Sequence, residues 1–501
     1  MRTQKALYNS VSSLILEVIS VICGFILPSV ILSAFGSTYN GLTASITQFL
    51  SLVTLLRAGV GGVTRAALYK PLAENDMERI SGIVNATKIF MRKIAVVFAA
   101  GLTVFALVYP FLVRESFDFL FTCILVLIMG IATFVQYYFA ITYQILLIAD
   151  QRQYIIAVIQ SITLILNLMV TVILIKLGHG IHVVKLGSTA VFCLNPLLTV
   201  VYIKRKYSLR TSVPPGNTVL AQRWDAFAHQ SAAYIQENTD VMVLTVFSTV
   251  AEVSVYSIYF LVSNGVKKLL ATITAGFEPV FGNMIALNDY DGLRRNMIWI
   301  EYLLFSIATV VYSCLFFLIV PFVSIYTSGI TDAEYVRPLF AIVLSLSQFV
   351  CCIRVPYQNI VDAAGHFKQT RNSAVIEAFL NLSISIVIVI RWGLVGVAIG
   401  TLISSAYRTV YLMIYASKHI LKRTCYYFIK RIGCCLFEFA LIYTLVRCFV
   451  NMPVTGYASW FIYAVIVGFL SSIVVLLCSV IFDRKDLFDC VRKVASILKL
   501  H

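Results

Sequence analysis

Apolar runs close to the roughly 20 residues a membrane-spanning helix needs recur along the whole of this 501-residue chain. The stretches between them are short, so the runs do not read as one anchor attached to a soluble domain. In lipid, only helices and closed barrels satisfy the backbone internally. The segments of about ten residues with alternating polarity that mark an outer-membrane barrel do not occur. The sequence therefore predicts an all-α polytopic membrane protein with fourteen transmembrane helices. Composition agrees: 12% of residues are charged, against roughly a quarter in soluble domains. The first run, 12–34, is too long for a signal-peptide core and has no small-residue cleavage pattern after it, so it is expected to stay.

A net charge of +16 raises the question of a nucleic-acid partner. Sorted by the predicted topology, most of the 39 Lys and Arg fall on the side of the N-terminus, which is the positive-inside signal. Both termini are then cytoplasmic, and no nucleic-acid partner is expected. The inside group includes "KRK" at Lys204–Lys206, "KRTCYYFIKR" from Lys422 to Arg431, and Arg484, Lys485, Arg492 and Lys493 in the tail. Contact with anionic lipid is its default reading.

Cysteine and histidine suggest no metal centre. The 12 cysteines include the adjacent pairs Cys351–Cys352 and Cys434–Cys435, fall almost entirely within predicted spans, and form no CxxC; they read as small buried apolar residues. "HGIH" at His179 and His182 has loose metal-ligand spacing, but no cysteine or carboxylate lies near it. No metal is expected there.

A shift of 214 residues lays "TYQILLIADQRQ" on "PYQNIVDAAGHF", placing Tyr143 on Tyr357, Gln144 on Gln358 and Asn167 on Asn381. Each asparagine heads an apolar run that ends in a glycine-containing outer turn, "KLGHG" or "RWGLVG". Residues 1–203 are thus expected to form a first lobe of six spans and 226–416 a second, with 204–225 a cytoplasmic linker around Pro214, Pro215 and Gly216. Residues 417–482 hold two appended spans, and 483–501 a cytoplasmic tail. Six is an even number, so the halves form a parallel repeat about an axis along the membrane normal, a design that puts the site between repeats near the midplane.

No Walker A, nucleophile elbow or HExxH occurs, and no soluble domain is large enough for an ATPase. Transport without ATP is the leading class, and no enzymatic activity is expected. A membrane-bound polysaccharide polymerase or ligase is the rival from another class, although its usual large outer loop is missing.

Ionisable residues inside spans are costly and tend to face a cavity, unless they lie close enough to a span end to snorkel. Arg57 sits about 24 Å along its predicted span at the helical rise. The repeat maps it to Ala271, one turn from Lys268. Arg354 and Arg408 are also well inside. A cavity lined by Arg57, Lys267, Lys268, Arg354 and Arg408 would be cationic and would suit a phosphorylated or carboxylated guest. Arg65 and Lys70 mark the inner end of span two. Glu17, Glu301 and Glu377 are either interfacial or partners of the arginines. Asp240 is the deepest carboxylate, with Glu237 nearly one turn away, and reads either as an ion-coupling group or as half of a structural pair.

"YNGLTASITQFLSLVTLLRAGVGGVTRAALYKPLAENDMERI", "TDVMVLTVFSTVAEVSVYSIYF" and "WGLVGVAIGTLIS" resemble the polysaccharide-transporter (Wzx-type flippase) branch of the MOP superfamily, which also holds the MATE exporters and the MurJ lipid II flippases. The resemblance covers residues 1 to about 485. It implies two six-helix lobes around a central cavity in a bacterial cytoplasmic membrane. The implied cargo is a polyprenyl-pyrophosphate-linked oligosaccharide, flipped to the outer leaflet for surface polysaccharide such as O-antigen or capsule. A polysaccharide polymerase and glycosyltransferases are the implied partners, alongside membrane lipids. The MurJ-type picture further implies a sodium site at Asp240, Asn381, Ser385, the Val397 carbonyl and Thr401, with Ser385 standing where a second carboxylate would be. The resemblance is compatible with sodium coupling, proton coupling or uncoupled flipping, and its alternatives are a lipid II-type cargo and a MATE-like exporter.

Overall fold

The structure, a computed structural model, describes residues 2–52, 54–210, 213–214, 238–274, 277–450 and 452–499. Most of the expected linker and the start of the seventh span lie outside the described residues, as do Glu237 and the side chain of Arg57.

The described chain is helical throughout. The first part runs α1 (Arg2–Phe35), α2 (Ser37–Ser51), α3 (Thr54–Glu74), α4 (Met77–Leu112), α5 (Phe119–Val135), a π-helical turn (Gln136–Ala140), α6 (Ile141–Ala149), α7 (Gln153–Lys176), α8 (Ile181–Lys206) and α9 (Asn238–Phe247). Then come α10 (Val250–Thr274), α11 (Phe277–Ala286), α12 (Tyr290–Tyr326), α13 (Pro338–Ala363), α14 (Phe367–Tyr415), α15 (Tyr426–Phe449), α16 (Tyr457–Phe482) and α17 (Arg484–Lys499). Ten of the described helical stretches are long and apolar enough to cross a membrane. Their outward side chains are apolar, as lipid contact requires: Leu120 is 68% exposed and Ile481 71%.

The chain divides into two compact units, Met1–Ser254 and Val255–His501. In the first, α4, α5 and α8 pack together, and α7 lies between α1 and α8. One core joins Val84, Met91, Tyr137 and Leu146; another joins Leu42, Ile46, Phe98 and Tyr109. α9 and the start of α10 join this unit through buried polar contacts to α2. Asn40 donates to Ser254 at 2.8 Å, and the Ser45 and Thr245 hydroxyls lie 2.7 Å apart. Gly41 permits that approach, since a Cβ there would collide with the Val250 carbonyl.

Span two departs from expectation. Among the described residues it is not one run over 41–64: α2 ends at Ser51, α3 starts at Thr54, and α3 runs on through Arg65 and Lys70 to Glu74.

In the second unit α12 packs against α13, α15, α16 and α17. Phe317, Ile442, Val446, Val467 and Val474 form the apolar seam that seats the appended α15 and α16. Charge reinforces it at one end: Arg431 is buried, lies 2.7 Å from Asp483, and stacks over Tyr302 of α12 at 4.3 Å. α17 follows directly, and Lys493 donates to Asn296 of α12 at 2.6 Å.

The cysteines are free thiols. Cys23, Cys352, Cys435, Cys478 and Cys490 are buried, whereas Cys448 is exposed. His182 lies 2.9 Å from the Phe121 carbonyl, and among the described residues no group of three or more His, Cys, Asp or Glu converges as metal ligands would.

Candidate functional site

α14 carries the most specific local geometry. Its helical path breaks at Gly393, whose φ of 50° lies in the left-handed region that glycine occupies without a Cβ penalty. The two halves fold back on one another so closely that a Cβ at Gly400 would strike the Ser385 hydroxyl, and one at Gly396 would meet the Ile388 backbone. Gly178, in the turn between α7 and α8, also has a positive φ, 78°.

This hairpin brings together four of the five residues expected to hold a coupling ion. Asn381 donates to the Thr401 hydroxyl at 3.0 Å, Thr401 donates to the Val397 carbonyl at 3.2 Å, and Ser385 lies 3.5 Å from that same carbonyl. The Asn381 side-chain oxygen is buried and accepts no hydrogen bond. A neutral set of amide, hydroxyl and carbonyl oxygens with one unused acceptor suits a hard monovalent cation, and carbonyls at broken helices serve that role in transporters. Asp240, the fifth residue, is buried in α9 of the first unit.

The cations expected to line a cavity fall into different settings. Arg354 of α13 lies 2.5 Å from Glu377 of α14, and Arg408, from the far half of α14, lies 3.7 Å from the same carboxylate. Arg408 is buried and also donates to the Thr370 carbonyl at 2.8 Å and to the Ser373 hydroxyl. Two of the five are thus gathered on one buried carboxylate, the ion-pair alternative for Glu377. Lys268 of α10 is exposed and Lys267 half-buried. Glu301 follows the same pattern as Glu377: it is fully buried and accepts from Arg423. Burial alone would lower the Arg423 pKa, but the Glu301 charge outweighs it and holds the guanidinium above its ordinary value.

Reading depth along single helices missed Lys185. It lies near the start of a predicted span, and its direction is visible only from the helical spacing of its neighbours. Val183 and Leu186 are exposed, while Val184 and Thr189 are buried. Lys185 borders a cavity of about 420 Å³ inside the first unit.

No family model and no curated protein matches the sequence. Solved structures do. The inward closed conformation of the lipid II flippase MurJ superposes with a TM-score of 0.71 at 16% identity, covering 96% of this chain and 100% of that one. An inward-facing multidrug resistance MATE transporter of the MOP superfamily gives 0.61 at 13% identity, over 79% of this chain and 95% of that one. A MOP superfamily transporter from Pyrococcus furiosus, described as having a binding pocket of reversed polarity, gives 0.55 at 13% identity, over 82% and 96%. Such identities speak for architecture alone: the chain is a multi-pass helical membrane protein with the fold shared by the lipid II flippase MurJ and the MATE transporters.

Proposed function

We propose that the protein is a fourteen-span flippase that carries a polyprenyl-pyrophosphate-linked oligosaccharide across a bacterial cytoplasmic membrane by alternating access, with both termini in the cytoplasm and no catalytic activity of its own. One observation carries this reading: the likeness to a lipid II flippase extends over 96% of the chain, whereas the MATE likeness extends over 79%. The basic inventory favours the same cargo. Arginine and lysine inside spans suit an anionic pyrophosphate, whereas an exporter of cationic compounds calls for acidic or aromatic contacts. Arg57, Lys267 and Lys268 are the cations proposed to meet it, with Arg354 and Arg408 held by Glu377. Asp240 and the α14 hairpin are proposed to couple flipping to sodium or protons.

The test is flipping of a fluorescent polyprenyl-pyrophosphate oligosaccharide in proteoliposomes, alongside surface polysaccharide in cells. Arg57→Ala and Lys268→Ala should abolish transfer and leave lipid-linked units on the cytoplasmic leaflet while protein levels persist. Unchanged polymer from both variants would remove the cationic contacts from the proposal. Transfer of a cationic drug in place of the lipid would replace it with the exporter reading.

A further inference from the structure

The first unit holds a half-open cavity of about 420 Å³ with mixed polar and apolar walls, within the roughly 300–1,000 Å³ of small-molecule sites. Its walls come from α2, α5, the π-helical turn and α8. α2 contributes Thr47 and Ser51; the π-helical turn after α5 contributes Gln136; α8 contributes Lys185, Ser188 and Asn195. The π turn is itself a local departure of a kind frequent at functional sites. Lys185 and Ser188 are three residues apart and share a helix face. No carboxylate lines the cavity among the described residues, and Lys185 makes no hydrogen bond or ion pair there.

An ammonium carries three donors and no acceptor. Set among membrane-spanning helices without a counter-charge, it costs stability. Snorkelling would relieve that cost if the side chain ran toward lipid headgroups, but Lys185 is half-buried and lies on the wall of the cavity, on the side of the helix away from the exposed Val183. The surrounding hydroxyls and amides come from three helical segments and supply further donors. A single positive point charge with neutral donors on the same walls, in a space too large for one water, is complementary to a compact oxyanion.

We propose that this chamber is a phosphate-binding site, with Lys185 as the charge and Ser188, Thr47 and Gln136 as the neutral donors. The bound group is a phosphoryl oxyanion, supplied either by free phosphate or by a phosphorylated lipid headgroup. None of the cations assigned to the cargo above is among the residues that line the cavity, and the proposal holds whether or not that cargo is the transported molecule.

The experiment uses the purified full-length protein in lipid nanodiscs and reads the thermal unfolding midpoint and binding isotherm with two probes: inorganic phosphate, and nanodiscs doped with a polyprenyl monophosphate. Wild type should be stabilised by a probe that binds the native state. Lys185→Met should weaken that probe by about tenfold or more, Ser188→Ala by less, and Lys185→Arg should retain most of the effect. Because the change to Met removes an unpaired cation, ligand-free Lys185→Met should be at least as stable as wild type. Stabilisation by inorganic phosphate identifies the free ion as a sufficient ligand; stabilisation by the doped nanodiscs alone identifies the headgroup. The proposal is overturned if folded wild type responds to neither probe, if Lys185→Met responds as wild type does, or if Lys185→Met is unstable without ligand, since the ammonium would then have a structural partner. Failure of the flipping assay with phosphate binding intact would overturn the function proposed above and leave this site standing.

Discussion

The Glu377 carboxylate lies 2.5 Å from the Arg354 guanidinium, joining the first half of α14 to α13. Arg408 approaches the same group from the second half of α14 at 3.7 Å, so one buried acid restrains three helical segments. Removing it leaves two guanidinium groups without their shared counter-charge. Breaking a buried pair in this way costs about 3–5 kcal/mol. Glu377→Ala should therefore lower stability in mixed-micelle unfolding far more than Arg354→Ala does. Adding Arg408→Met to Glu377→Ala should recover part of the loss, because coupled sites are not additive. Equal costs for Glu377→Ala and for an exposed control such as Glu334→Ala would show that the cluster contributes nothing.

Two glycines in the second unit should respond oppositely to the same substitution. At Gly400 a Cβ meets the Ser385 hydroxyl across the hairpin, whereas at Gly433 of α15 it meets nothing within 4 Å. Gly400→Ala should cost about 1–3 kcal/mol by overpacking. Gly433→Ala should be neutral or gain about 0.5–1 kcal/mol by restricting the unfolded chain and favouring helix. Unfolding midpoints of the two variants check this, and a tolerated Gly400→Ala would refute the tight hairpin.

Arg431 ties α15 to the residues that begin α17. It lies 2.7 Å from Asp483 and 3.6 Å from Asp486, and Asp483 also meets Lys430 at 2.7 Å. Arg431→Met keeps much of the packing and removes the charge. The expected outcome is faster amide exchange across Arg484–Lys499, with exchange in α12 little changed. Uniform exchange throughout the second unit would mean that Arg431 supports the whole core.

The coupling residues make a separate prediction. If the α14 hairpin holds a monovalent cation, Asn381→Ala should remove any sodium dependence of flipping, and Asp240→Asn should remove dependence on sodium or protons. Transport rates measured with sodium replaced by N-methylglucamine, at fixed pH, test the first; a pH jump at fixed sodium tests the second. A gradient response identical to wild type in both variants would make these residues structural.

Much of this molecule is legible in one dimension, because lipid leaves few choices. Apolar runs of spanning length oblige helices, and glycine in "RWGLVG" and "KLGHG" marks turns that the backbone makes at Gly393 and Gly178 with positive φ. Each of these depends on chain-local physics: hydrogen bonding within a segment, side-chain hydropathy and the steric freedom of glycine. What tertiary structure alone decided is which polar groups meet. Counting residues along a helix gives depth but no neighbour, so Glu377 could be read as interfacial or as a partner of arginine, and only the packing of α13 against both halves of α14 resolves it. Lys185 makes the same point in reverse. Nothing along its own span singles it out, yet the helix face it shares with Ser188, together with walls supplied by α2, α5 and the π turn, sets it beside a half-open cavity. Whether a buried charge is neutralised, solvated or left waiting for a ligand depends on residues distant in sequence, and folding alone brings those residues together.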